Sequence, residues 1–129
     1  MRFCFGLFIA FLLFISCENV TFSPLVGKWQ LKSVEKNGEL VTVDTVWYNF
    51  QSKSIFGLQI YFPQDDKYSL YIGMRTQKDN VVSIDMDDET IVYYFDWSSD
   101  KRSFTIEKSN RRRLELRSEE GYLYSFTKF

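Results

Sequence analysis

The chain has 129 residues, with 16 Lys or Arg against 17 Asp or Glu, no His, and a formal net charge of −1. That is one domain's worth of chain, and the near-zero charge supplies no global field to draw in nucleic acid or anionic lipid. The lack of histidine removes the commonest general base, the commonest zinc ligand and the usual partner of a nucleophilic Ser or Cys.

The first sixteen residues read as a secretory signal peptide. Arg2 supplies one positive charge, and Phe3 to Ile15 is apolar apart from Cys4 and Gly6. That run is shorter than the roughly 20 residues a membrane-spanning helix needs, and Ser16 is a small residue before the break. Leu13-Phe14-Ile15-Ser16-Cys17 resembles a bacterial lipobox, with Ser16 and Cys17 matching the pattern and Phe14 and Ile15 departing from it. The resemblance implies lipidation at Cys17, a membrane partner through that lipid, and an outer-membrane lipoprotein of the cell envelope, on its periplasmic or surface face. Residues 17–23 would then be the tether and residues 24–129 the domain. A mature chain starting at Cys17 has one cysteine, so no internal disulfide is expected. The 129 residues less a leader of 16 leave 113, enough for burial alone to hold a fold.

From Pro24 the chain reads as strand, turn, strand. Trp29, Leu31 and Ser33 alternate with Lys28, Gln30 and Lys32, the period of a strand with one wet face. Asn37-Gly38 is a tight hairpin signal, because both residues tolerate positive φ. Glu39 to Gln51 reads as one long strand bent near Asp44-Thr45, with Val46, Tyr48 and Phe50 on its apolar face. Leu58, Ile60 and Phe62 lead to a turn at Pro63–Asp66, and Tyr68, Leu70, Ile72 and Met74 form the next strand. Val82, Ile84 and Met86 make a weaker run, and Ile91, Tyr93, Phe95 and Trp97 the most aromatic one. Phe104 and Ile106, Leu114 and Leu116, and Tyr122, Tyr124 and Phe126 complete the series.

These nine runs predict an all-β domain of hairpin-linked strands. An up-and-down barrel closes with antiparallel neighbours only on an even count. Either Glu39 to Gln51 is two strands, giving ten, or Val82 to Met86 is not a wall strand, giving eight. The chain length favours about eight, with a ten-stranded barrel or a two-sheet sandwich as the alternatives.

Gly27-Lys28-Trp29 at the start of such a series resembles the Gly-x-Trp that opens the first strand of lipocalins, and the chain as a whole resembles the short bacterial lipocalin-like lipoproteins. The resemblance implies a single antiparallel up-and-down barrel whose floor is plugged by Trp29, with Gly27 at the turn before it. Lys128 is the nearest counterpart of the family's Arg over that Trp. The C-terminal helix of longer lipocalins has no counterpart.

The apolar faces carry many rings, of which Tyr48, Phe50, Tyr68, Tyr93, Phe95, Tyr122 and Tyr124 are the candidates for lining a ligand cavity. A buried phenol without a partner costs about 1–3 kcal/mol, so five tyrosines there point to water, neighbours or a ligand. Two readings stand. One is a lipid-anchored binding protein for a small apolar or aromatic ligand. The other is a filled barrel whose outer aromatics, Trp47, Tyr61, Tyr71 and Tyr94, meet an envelope protein partner. Neither reading calls for a cofactor, nucleic acid, metal or catalytic residue. The acidic Asp85, Asp87, Asp88 and Glu89 lack a calcium-loop glycine and read as a solvated turn.

Overall fold

The computed structural model describes residues 25–129. The expected leader (1–16), Cys17 and the tether (17–23) lie outside the described residues. The strands are β1 (Gly27–Lys36), β2 (Glu39–Thr42), β3 (Val46–Phe50), β4 (Ile55–Phe62), β5 (Lys67–Lys78), β6 (Val81–Asp85), β7 (Lys101–Ser109), β8 (Arg113–Ser118) and β9 (Leu123–Lys128), with one helical turn, α1 (Ile91–Tyr94), between β6 and β7. The strands pair antiparallel in the order β1-β3-β4-β5-β6-β7-β8-β9, and β9 returns to β1 to close an eight-stranded barrel. Closure leaves this ring without a free edge.

The extra strand, β2, continues the line of β3. Gly27–Gln30 of β1 pair with β3, whereas Ser33–Lys36 pair with β2. Both therefore run along one edge of β1, and the Val43 amide bridges the gap by donating to Lys32 O at 2.8 Å. Glu39 to Gln51 is therefore two strands and not the one long bent strand expected, with the break falling at 43–45, where the bend was placed. At the hairpin before it, Asn37 and Gly38 have φ of 53° and 84°, as a two-residue turn requires.

The barrel has the expected eight walls, but one of them is not where the sequence reading put it. Val81–Asp85 is a wall strand, with Val82 and Ile84 buried. The aromatic run from Ile91 to Trp97 is not a strand. It crosses the end of the barrel, opening on an Asx turn in which Asp88 Oδ1 accepts from the Thr90 amide at 3.0 Å and its hydroxyl at 2.6 Å. Ile91 is buried and Phe95 half-buried, while Tyr93 and Tyr94 are exposed. Within the helical turn burial repeats after four residues, from Ile91 to Phe95, before Trp97 is buried again beyond it, and β-branched and aromatic composition misleads in so short a segment.

Up-and-down connectivity puts the ends of β1 and its partners at two poles. The chain enters at the closed pole, where Leu25 is buried beneath Trp29. The opposite pole, carrying the β1–β2 hairpin, the β4–β5 turn and α1, is the mouth. Between them Trp29, Leu31, Tyr48, Phe50, Phe56, Leu58, Val82, Phe104, Leu114, Leu116, Tyr124 and Phe126 form one core. On β1, a bulge between Leu31 and Ser33 turns Val34 inward in place of Ser33.

On β5 the alternation is inverted. Tyr68, Leu70, Ile72 and Met74 face solvent, while Gly73 and Arg75 are buried. This inward position has room only for glycine: a Cβ there would stand 2.7 Å from both Asp85 O and Met86 Sδ. Met86 fills that space, and the apolar stripe of β5 is left on the outside.

Candidate functional site

At the closed pole, the Gly-x-Trp residues act together. Trp29 is fully buried, and its indole Nε1 donates to Leu25 O at 2.9 Å. Lys128 Nζ sits 4.6 Å from the centre of the Trp29 ring and donates to Val26 O at 2.9 Å. Lys128 is thus the cation over the floor Trp. Gly27 makes this possible in two ways. Its φ of 136° suits glycine, and a Cβ at this position would lie 1.9 Å from Lys128 Nζ.

Above this floor the interior is filled with rings. Tyr48 is in ring contact with Phe126 at 4.7 Å, Phe56 at 5.4 Å and Phe104 at 6.1 Å. Phe50 packs on Phe56 at 5.0 Å and lies under the buried guanidinium of Arg75, which donates to Ser52 O at 2.7 Å. The lower barrel is a packed core.

The upper part is different. A cavity of about 220 Å³ opens between α1 and the β1–β3 wall, lined by Leu31, Val34, Val41, Val43, Val46, Tyr94 and Phe95, with Tyr48, Lys36 and Asp96 as its polar groups. Aromatic contacts fix α1 over it: Tyr94 meets Phe62 at 5.8 Å and Tyr71 at 6.1 Å, and Phe95 meets Tyr71 at 5.8 Å.

The polar side of the cavity belongs to a network centred on the buried Arg102, which is 5% exposed. Its guanidinium donates to the Tyr124 hydroxyl at 2.7 Å and to Glu120 at 2.9 Å, and lies 3.6 Å from an Asp96 carboxylate oxygen. It also stacks on Tyr124, Phe104 and Trp97 at 4.9, 5.1 and 5.7 Å. Tyr124 donates to Asp96, Lys36 Nζ approaches Asp96 at 3.2 Å, and Trp97 Nε1 donates to the Tyr48 hydroxyl at 3.1 Å. Burial, reinforced by Asp96, pushes the Tyr48 phenol far above its usual value. Burial, then Tyr48 and Asp96, does the same to Tyr124. Burial alone would lower the Arg102 pKa, but the two phenols and the carboxylates Asp96 and Glu120 outweigh it and raise it. Both phenols therefore stay protonated at neutral pH, Tyr124 donating to Asp96 and Tyr48 accepting from Trp97, and Arg102 stays charged.

Of the seven ring candidates, Tyr48 and Phe95 line the cavity. Phe50 and Tyr124 are buried below and beside it, and Tyr122 is half-buried at the rim with Lys36 Nζ 5.2 Å from its ring. Tyr68 and Tyr93 are corrected: they are 59% and 80% exposed, because β5 presents its tyrosine outward and Tyr93 lies on the solvent side of α1. Of the outer aromatics, Trp47 is buried under Tyr68 and Phe129 at 5.9 and 5.7 Å, and Tyr71 packs against the core; Tyr61 is half-buried and Tyr94 exposed.

Sequence reasoning missed Lys36, Asp96, Arg102, Val41 and Val43, whereas Val46 was placed on the apolar face. A lone carboxylate between Phe95 and Trp97 was the available signal for Asp96. Asp85, Asp87 and Asp100 do converge, but Lys101 Nζ already stands 3.8 Å from Asp85 and 3.7 Å from Asp100.

The family described as a lipocalin-like domain matches residues 12–129. A lipocalin-like protein from Bacteroides uniformis, known from its crystal structure, is 31% identical with a TM-score of 0.74, over 83% of this chain and all of that one. An uncharacterized protein from Bacteroides eggerthii is 25% identical with a TM-score of 0.70, over 81% of this chain and 98% of that one. No curated protein matches the chain.

Proposed function

The chain belongs to the lipocalin-like domain family, and from that premise we propose that it is a binding protein, held on the bacterial cell envelope by a lipid on Cys17, whose mouth cavity takes a small apolar molecule with one polar group. The observation that carries this reading is the cavity itself. Its wall is aliphatic, from Leu31 and Val34 to Val46, while Lys36, Asp96 and the Tyr48 hydroxyl gather on one side. An apolar body would lie against the valines, and a polar end would meet the ion pair at the rim. The volume of about 220 Å³ lies below the roughly 300–1,000 Å³ of sites for drug-sized ligands, so the ligand is smaller than those. Envelope anchoring is supported by the lipobox-like Ser16-Cys17 after an apolar run.

The test is native mass spectrometry of the protein extracted from its own membranes. Wild type should carry a bound small molecule, and Val43→Trp, which fills the cavity from the β2–β3 bend, should lose it with little change in melting temperature. Should Val43→Trp fail to fold, Lys36→Met offers a milder change at the polar end. Wild-type protein with no bound mass would overturn the ligand reading. In the same cells, Cys17→Ala should move the protein from the membrane to the soluble fraction, and unchanged membrane association would overturn the anchor.

A second reading has one observation in its favour. Tyr68, Leu70, Ile72 and Met74 on the outside of β5 are each more than half exposed, at 59, 55, 54 and 67%. An apolar stripe of this kind suits an envelope protein partner. A partner retained in fixed ratio by empty wild-type protein, and lost in Leu70→Lys, would favour it.

A further inference from the structure

The net charge of −1 conceals a separation that only the strand directions bring about. At the closed pole stand Lys28 and Lys128, where the barrel's first and last strands meet, and Lys53, Lys78, Lys108 and the run Arg111–Arg113 in or beside the turns. Against these eight cations stand Asp79 and Glu107, and Glu107 is already paired with Arg117. The mouth is the reverse. From Glu35 and Glu39 round to Glu119 and Glu120 it carries twelve Asp or Glu against Lys36, Lys67, Lys101 and Arg102.

We propose that the basic closed pole is a docking surface for an anionic lipid bilayer. Three observations favour a membrane. The cations are interspersed with exposed apolar side chains at the same pole, Val26 at 41%, Ile55 at 41%, Val81 at 37% and Phe129 at 68%. Mixed basic and apolar groups suit the headgroup boundary, where cations meet phosphate and apolar tips enter the acyl edge. Lys28 Nζ, 4.9 Å from the Phe129 ring, joins the two kinds of group. Finally, the chain enters the barrel at this pole, and the eight steps from Cys17 to Leu25 span at most about 29 Å. A lipid on Cys17 would therefore hold the basic pole toward the membrane and leave the acidic mouth facing away, open to ligand. This last argument rests on the anchor proposed above; the charge argument does not.

The test keeps the two apart by using residues 18–129 without lipid. The barrel closes on itself, and 83% of this chain suffices to match the whole Bacteroides uniformis chain, so this length contains the folding unit. Sedimentation is followed with phosphatidylcholine vesicles containing about 30% phosphatidylglycerol or none, at about 0.05 M and about 0.5 M salt. Binding is expected to the anionic vesicles only, and to be lost at high salt. Arg111→Ser/Arg112→Ser/Arg113→Ser should lower partitioning on the order of 100-fold, while Lys67→Ser at the mouth leaves it unchanged. The triple variant should fold, because its turn is held by Asn110 Oδ1 accepting from the amides of Arg112 and Arg113, both at 2.9 Å. If it does not, Lys53→Ser/Lys78→Ser serves instead, with a loss of about tenfold or more expected. Equal binding to neutral vesicles, an equal loss with Lys67→Ser, or binding to a DNA duplex but not to vesicles would overturn the proposal.

Discussion

Replacing Trp29 by alanine is expected to lower the unfolding free energy by about 3–5 kcal/mol, the range for removing a large ring from a packed core. The indole is fully buried at the closed pole, where its Nε1 satisfies Leu25 O. Its loss would leave that carbonyl without its donor and Lys128 Nζ without the ring beneath it. The segment before β1 would lose its tie to the barrel, and the floor would open. For a domain of this size each kcal/mol moves the melting temperature by about 4–8 °C, so a drop of well over 10 °C is expected. Urea titration should show the midpoint falling with the slope unchanged. A melting point within about 2 °C of wild type would show that Trp29 is peripheral, and the floor assigned to Gly27, Trp29 and Lys128 would have to be given up.

Arg102→Met is expected to cost less, about 1–3 kcal/mol, for a different reason. Methionine restores much of the volume between Trp97, Phe104 and Tyr124, so the cavity contribution is small. What it does not restore is the charge. Asp96 and Glu120 lose their buried cation, and the Tyr124 hydroxyl loses a donor. Asp96, with a side chain 34% exposed, retains Lys36 and recovers part of the loss from water. Arg102→Lys should rescue little, because one ammonium cannot reach the hydroxyl and the carboxylates with the geometry of a guanidinium fork. The check is chemical unfolding of both variants. A loss below about 1 kcal/mol for Arg102→Met would mean that the network behaves like a surface ion pair and does not hold α1 and β7 to the mouth.

The two variants probe parts of the molecule that were unequally legible. Gly27 and Trp29 were recognisable because the floor is local: three consecutive residues at the start of a strand carry its requirements. Arg102 and Asp96 were not, because the network joins β7, β9 and the segment after α1, and nothing in local alternation marks residues brought together from 28 positions apart. Val41 and Val43 of the cavity were hidden in the same way. Their faces depend on how β2 and β3 share one edge of β1.

The sequence by itself determined that this is an all-β domain with strands joined by turns such as Asn37-Gly38, and its length favoured a barrel of about eight over ten strands or a sandwich. Period-two alternation and positive-φ turn residues are local properties, and length limits how many strands there are. Only the tertiary structure decided which way each alternating face points. A side chain's face follows from register, and register is settled by neighbours: β5 turns Gly73, packed against Asp85 and Met86, inward and leaves its apolar stripe outside, and the bulge on β1 turns Val34 inward. Only the tertiary structure, too, separated the charges, because antiparallel strands return turns distant in sequence to a common pole. A chain that is almost neutral as a string thus folds with one basic end and one acidic end.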